Sequence, residues 1–101
     1  MRMLVFFDLP TITYSNQKEY RRFRKLLINE GFIMMQESVY FKLALNNSII
    51  TSVRNKIEKE TPKDGIVQIL TVTEKQFSNI NTVIGEVSTN KLNNTERLII
   101  L

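Results

Sequence analysis

Met3-Leu4-Val5-Phe6-Phe7-Asp8-Leu9-Pro10 is the stretch on which the fold turns. An unbroken apolar run at the start of the chain reads as a strand buried on both faces. The acid that follows puts a carboxylate at the end of a core strand, where a ligand can reach it. Asp8 is therefore either a metal ligand or the cap of the turn that Leu9-Pro10 begins.

Downstream, the chain alternates between the two periods of regular structure. Thr11 to Asn16 is polar and turn-like, with Ser15 or Asn16 as the cap of a helix from Gln17 to about Glu30 and Gly31 as its stop. At 100° per residue Tyr20, Phe23, Leu26, Leu27 and Ile28 share a broad apolar side, while Lys18, Arg21, Arg22 and Lys25 gather opposite. Phe32 to Met35 and Ser38 to Leu45 are two further apolar runs parted by Gln36-Glu37. They read as consecutive antiparallel segments, with one bulged strand as the alternative. Asn46, Asn47 and Ser48 offer caps for a second helix carrying Ile49, Ile50, Val53 and Ile57, which Pro62 and Asp64-Gly65 end. Ile66 to Thr73 is rich in β-branched residues and reads as a strand. The order is β-α-β-β-α-β, that of an α+β ferredoxin-like sandwich with both helices on one face of a four-stranded antiparallel sheet.

The uncovered sheet face is too apolar for water, and a homodimer is the expected solution. Past Thr73 the pattern weakens: Phe77, Ile80, Val83, Ile84 and Val87 lie among polar residues and suggest a poor strand or an irregular edge. The chain then ends on Arg97-Leu98-Ile99-Ile100-Leu101, expected to add a strand to a sheet edge, either as a partner interface or, as the alternative, completing its own sheet. A single domain over 1–101 is expected, with a core to about residue 75 and an extension after it.

Composition removes whole classes of chemistry. The chain has no Cys and no His, so thiolate catalysis, disulfides and Ser-His or His-metal constellations are excluded. Hydrolysis would have to rest on carboxylates, a bound cation, Lys or Tyr. Fourteen Lys plus Arg against 10 Asp plus Glu give a net charge of +4, which favours polyanionic partners. No apolar stretch approaches a bilayer span and no signal-peptide pattern opens the chain, so a cytoplasmic protein without a membrane partner is expected.

Three stretches together resemble one family: Leu4 to Pro10, Tyr20-Arg21-Arg22-Phe23-Arg24-Lys25-Leu26-Leu27 with Gly31-Phe32 after it, and Gln36-Glu37-Ser38-Val39-Tyr40. In this order and spacing they are similar to the small CRISPR-associated adaptation protein, the second Cas subunit, a family described as magnesium-dependent endoribonucleases. The Phe-Phe-Asp-Leu-Pro form looks most like members from systems with a single large effector nuclease. The resemblance implies a symmetric homodimer in which two copies of Asp8 face each other and hold Mg²⁺. It also implies a scaffold role in spacer acquisition, bridging dimers of the larger integrase subunit and binding double-stranded DNA. The expected backbone contacts are Lys18, Arg21, Arg22 and Lys25, with Tyr14, Asn16 and Lys42 beside them. With one carboxylate and no general base, the scaffold reading ranks above a metal-dependent endonuclease using Asp8. A generic RNA-recognition module ranks last, because Ser38 to Leu45 lacks the stacking aromatic signature.

Overall fold

Alternation along β1 (Arg2–Asp8) divides the first strand between two apolar clusters. Met3, Val5 and Phe7 enter the main core, while Leu4 lies on the opposite face against Phe41 and Phe77. The computed structural model describes residues 1–85, in which β1 is followed by α1 (Tyr14–Asn29), β2 (Ile33–Gln36), β3 (Val39–Leu43), α2 (Asn47–Glu60), β4 (Ile66–Val72) and α3 (Glu74–Ser78). The strands form one antiparallel sheet in the order β2-β3-β1-β4, the ferredoxin-like arrangement expected. β1 is central, flanked by Val5↔Tyr40 on one side and Val5↔Ile69 on the other.

α1 begins earlier than its sequence suggests. Thr13, in extended backbone, accepts the Asn16 amide proton on its hydroxyl at 3.0 Å, so Thr13 is the cap and neither Ser15 nor Asn16 is. Its buried seam is Phe23 and Leu27, one turn apart, with Tyr20 and Leu26 half-buried at the flanks. Ile28, expected on that side, is 48% exposed because it lies beyond the seam's edge. Each fully buried apolar side chain of this kind contributes roughly 1.5–3 kcal/mol. Gly31 ends α1 with φ of 94°, as a left-handed helix stop requires.

β2 and β3 form the expected antiparallel pair. The register also slips between Met34 and Gln36, so a bulge is present as well. Asn46 caps α2 by accepting from the Ile49 amide at 2.9 Å. Ile50, Val53 and Ile57 close the core over β1.

The stretch after Thr73 corrects the expectation of a poor strand. Thr73 and Gln76 form a reciprocal capping box, with bonds of 3.1 and 2.9 Å, and nucleate α3. Phe77 on this short helix packs on Phe41 with ring centroids 5.3 Å apart. Arg2 fixes it there: its guanidinium lies over the Phe77 ring at 4.5 Å and donates to the Glu74 carboxylate at 2.9 and 3.1 Å. Residues 79–85 carry no regular structure. Val87, Arg97, Leu98, Ile99, Ile100 and Leu101, and with them the expected C-terminal strand, lie outside the described residues.

Candidate nucleic-acid interface and the Asp8 position

β1 delivers Asp8 to the sheet face that α1 and α2 leave open, two residues beyond Phe6 and across from Ile66 on β4. α3 covers the Leu4 end of that face, so the open part is the half that contains Asp8, Phe6, Val39, Ile66 and Gln68. Ile66 and, nearer α3, Leu70 are 57% and 51% exposed there. The Asp8 carboxylate is exposed and forms no hydrogen bond or ion pair among the described residues. The loop-capping alternative for Asp8 therefore has no bond to support it here. Its backbone matters separately: a Cβ on Gly65, whose φ is 98°, would come within 2.6 Å of the Asp8 carbonyl oxygen. Gly65 thus lets the α2–β4 turn close against the end of β1.

No group of three or more His, Cys, Asp or Glu able to hold a metal ion occurs among the described residues. A cation at Asp8 would therefore have to draw further ligands from water or from the Asp8 of a second copy. Oxygen donors of that kind suit a hard ion such as Mg²⁺, which keeps several waters.

The basic residues of α1 separate into two groups. Arg22 donates to the Glu19 carboxylate and to the Glu60 carbonyl oxygen, each at 2.9 Å. That hydrogen bond, with the charge of Arg22 and Lys18 beside it, holds the Glu19 carboxyl below its ordinary range despite a smaller opposing effect of desolvation. Arg24 donates to the hydroxyl of the fully buried Tyr40 at 2.7 Å. Lys18, Arg21 and Lys25, by contrast, are exposed and make no ion pair or side-chain hydrogen bond among the described residues. With Tyr14, itself 76% exposed, they follow one another at intervals of four, three and four residues. That spacing places all four on one stripe of α1 about 16 Å long.

Asn16 lies in the first turn of α1, close to the start of the stripe. Lys42 does not join this set. It extends from β3 towards Gly31 at the C-terminal end of α1, the negative pole of the helix dipole and about 24 Å of helix from Tyr14. Helical spacing alone sets Arg22 among the other cations, although Glu19 three residues before it on the same helix signals an internal pair. The roles of Glu60 and of Arg24 come from tertiary contacts that no local pattern announces. Half-buried beside these groups, the Tyr20 phenol is pushed above its ordinary range, mainly by desolvation.

The chain falls in the class of CRISPR-associated proteins. A family model, "CRISPR associated protein Cas2", matches residues 1–80. The chain is 52% identical over its whole length to a Treponema denticola protein named CRISPR-associated endoribonuclease Cas2, which it covers completely. It is 48% identical over all its residues to a protein of the same name from Streptococcus mutans, covering 93% of that protein. A third, from Ligilactobacillus salivarius, is 45% identical with both chains fully covered. The crystal structure of Streptococcus pyogenes Cas2 at pH 6.5 superposes with a TM-score of 0.63 over 82% of this chain and 99% of that one, at 18% identity, and shares the fold. The chain belongs to the Cas2 family. No helix among the described residues is long and apolar enough to cross a membrane.

Proposed function

We propose that this chain acts in CRISPR adaptation as a homodimeric scaffold that binds double-stranded DNA and bridges dimers of the integrase subunit. The observation that carries the reading is the division of the α1 cations. Arg22 and Arg24 are committed inside the chain, whereas Lys18, Arg21 and Lys25 stand free on one stripe among the described residues. Such a row neutralises successive phosphates and releases counterions without reading bases, which suits a protein that handles DNA of any sequence. Tyr14 and Asn16 at its start add neutral contacts to the same backbone. Two copies meet through the open half of the sheet around Asp8, because that half exposes apolar residues and α3 fills the other.

The second reading is a metal-dependent endonuclease. The unpartnered Asp8 carboxylate and the endoribonuclease names of the relatives favour it. Two Asp8 carboxylates across the dimer would hold Mg²⁺, which would supply an activated water and charge stabilisation at a phosphodiester.

Spacer acquisition in cells separates the two. The scaffold reading expects Asp8→Ala to leave acquisition intact and the double charge reversal Lys18→Glu, Arg21→Glu to abolish it. Loss of acquisition on Asp8→Ala, in protein that still dimerises and binds duplex, would favour the enzyme instead.

A further inference from the structure

A cleft of about 350 Å³ opens where the β1–α1 loop meets the α2–β4 turn, and of its lining only Asn16 belongs to the interface described above. Leu9, Pro10 and Pro62 give it apolar walls, and Ser15, Asn16, Glu19, Lys63 and Asp64 supply its polar lining. Ser15, Lys63 and Asp64 make no hydrogen bond or ion pair among the described residues, while Arg22 holds the Glu19 carboxylate. Its size is at the small end of ligand sites, which suits a flat molecule more than an extended one.

We propose that this cleft receives a single unpaired nucleobase from the nucleic acid held on α1. The inference rests on the scaffold reading and adds a site to it. Ser15 lies one helical turn before Lys18, so a strand whose phosphates follow Lys18, Arg21 and Lys25 arrives at the cleft when it passes the start of α1. Proline rings offer flat apolar surface to the face of a base. Lys63 meets the phosphate of that nucleotide. Asp64 presents an ionised carboxylate that only accepts hydrogen bonds, and a base with an exocyclic amino group supplies the donor it lacks. Cytosine satisfies it through the N4 amino group at the corner of its edge, whereas thymine offers only N3–H, set between two carbonyl oxygens that repel a carboxylate. Continuous duplex cannot enter, because its bases are stacked and paired; a single-stranded tail can.

The test compares blunt duplex with the same duplex carrying a short oligo-dC or oligo-dT tail, by fluorescence anisotropy on the full chain at fixed salt. The dC tail is expected to bind at least about five-fold more tightly than blunt DNA and more tightly than the dT tail. Ser15→Trp, which fills the cleft, removes the tail's advantage. Asp64→Ala keeps part of it and erases the preference for dC, and circular dichroism checks that both variants are folded. Equal binding of tailed and blunt DNA by the unaltered chain, or an advantage that survives Ser15→Trp, overturns the base site while leaving duplex binding in place. Absence of salt-sensitive binding to every DNA overturns the scaffold reading and the base site together.

Discussion

Arg22 on α1 donates to the carbonyl oxygen of Glu60 at the end of α2 over 2.9 Å, tying the two helices together where the chain turns towards β4. The same guanidinium holds Glu19 at 2.9 Å. A backbone carbonyl at a helix C-terminus lacks an intrahelical donor, and a cation is the partner its partial negative charge favours. Arg22→Ala is therefore expected to lower unfolding stability by about 1 kcal/mol, the small size following from the exposure of the group. Urea denaturation monitored by circular dichroism reads the change, and an unaltered midpoint would show the bridge to be inert.

The Arg24–Tyr40 bond makes a different prediction. Tyr40 is fully buried, and Arg24 satisfies its hydroxyl. Arg24→Ala leaves that hydroxyl without its donor and should cost about 1–3 kcal/mol, more than Tyr40→Phe, which removes the polar atom and the need for it together. Equal losses from the two substitutions would contradict this account.

Gly65→Ala meets two obstacles, a φ of 98° and an Asp8 carbonyl oxygen 2.6 Å from the new Cβ. It should destabilise the chain by more than about 1 kcal/mol and move the end of β1. Amide chemical shifts at Asp8 and Leu9 are the direct readout, since Leu9 also crowds that Cβ.

Stability should fall at both ends of the pH scale. Glu19 is depressed below its ordinary value of 4.5, so its contribution is present above that value and fades as pH drops through the folded-state value. Tyr20 is raised above 10.0, so its contribution is complete below 10.0 and is lost as pH climbs past the folded-state value. Arg22→Ala should flatten the acidic limb and leave the alkaline one alone, which unfolding midpoints across pH will show.

The strand-and-helix order was legible in the sequence because its punctuation is strong. Gly31, Asn46 and Asp64-Gly65 mark element ends through backbone needs that few other residues meet. The first helix start was misread because Thr13, Ser15 and Asn16 are all competent caps, and only the backbone shows which hydroxyl faces the open amides. α3 is signalled in the sequence by the capping box of Thr73-Glu74-Lys75-Gln76, while the scattered apolar residues after it suggest a poor strand instead. On α1, helical spacing gathers Lys18, Arg21 and Lys25 on one side together with Arg22, which only the contacts to Glu19 and Glu60 set apart. Lys42 could not be placed that way: its strand position is readable, but the nearness of Gly31 depends on how α1 returns over the sheet.

The salt dependence of duplex binding bears most directly on the scaffold account. Anisotropy titrations of the full chain across a range of salt should give a logarithmic affinity that falls linearly with the logarithm of concentration. Replacing Lys18, Arg21 or Lys25 singly by Ala should reduce that slope by about 1 each, and Arg22→Ala should leave it unchanged. A slope insensitive to the three free cations, or one that drops as much for Arg22 as for Arg21, would contradict the assignment of this stripe to the DNA backbone.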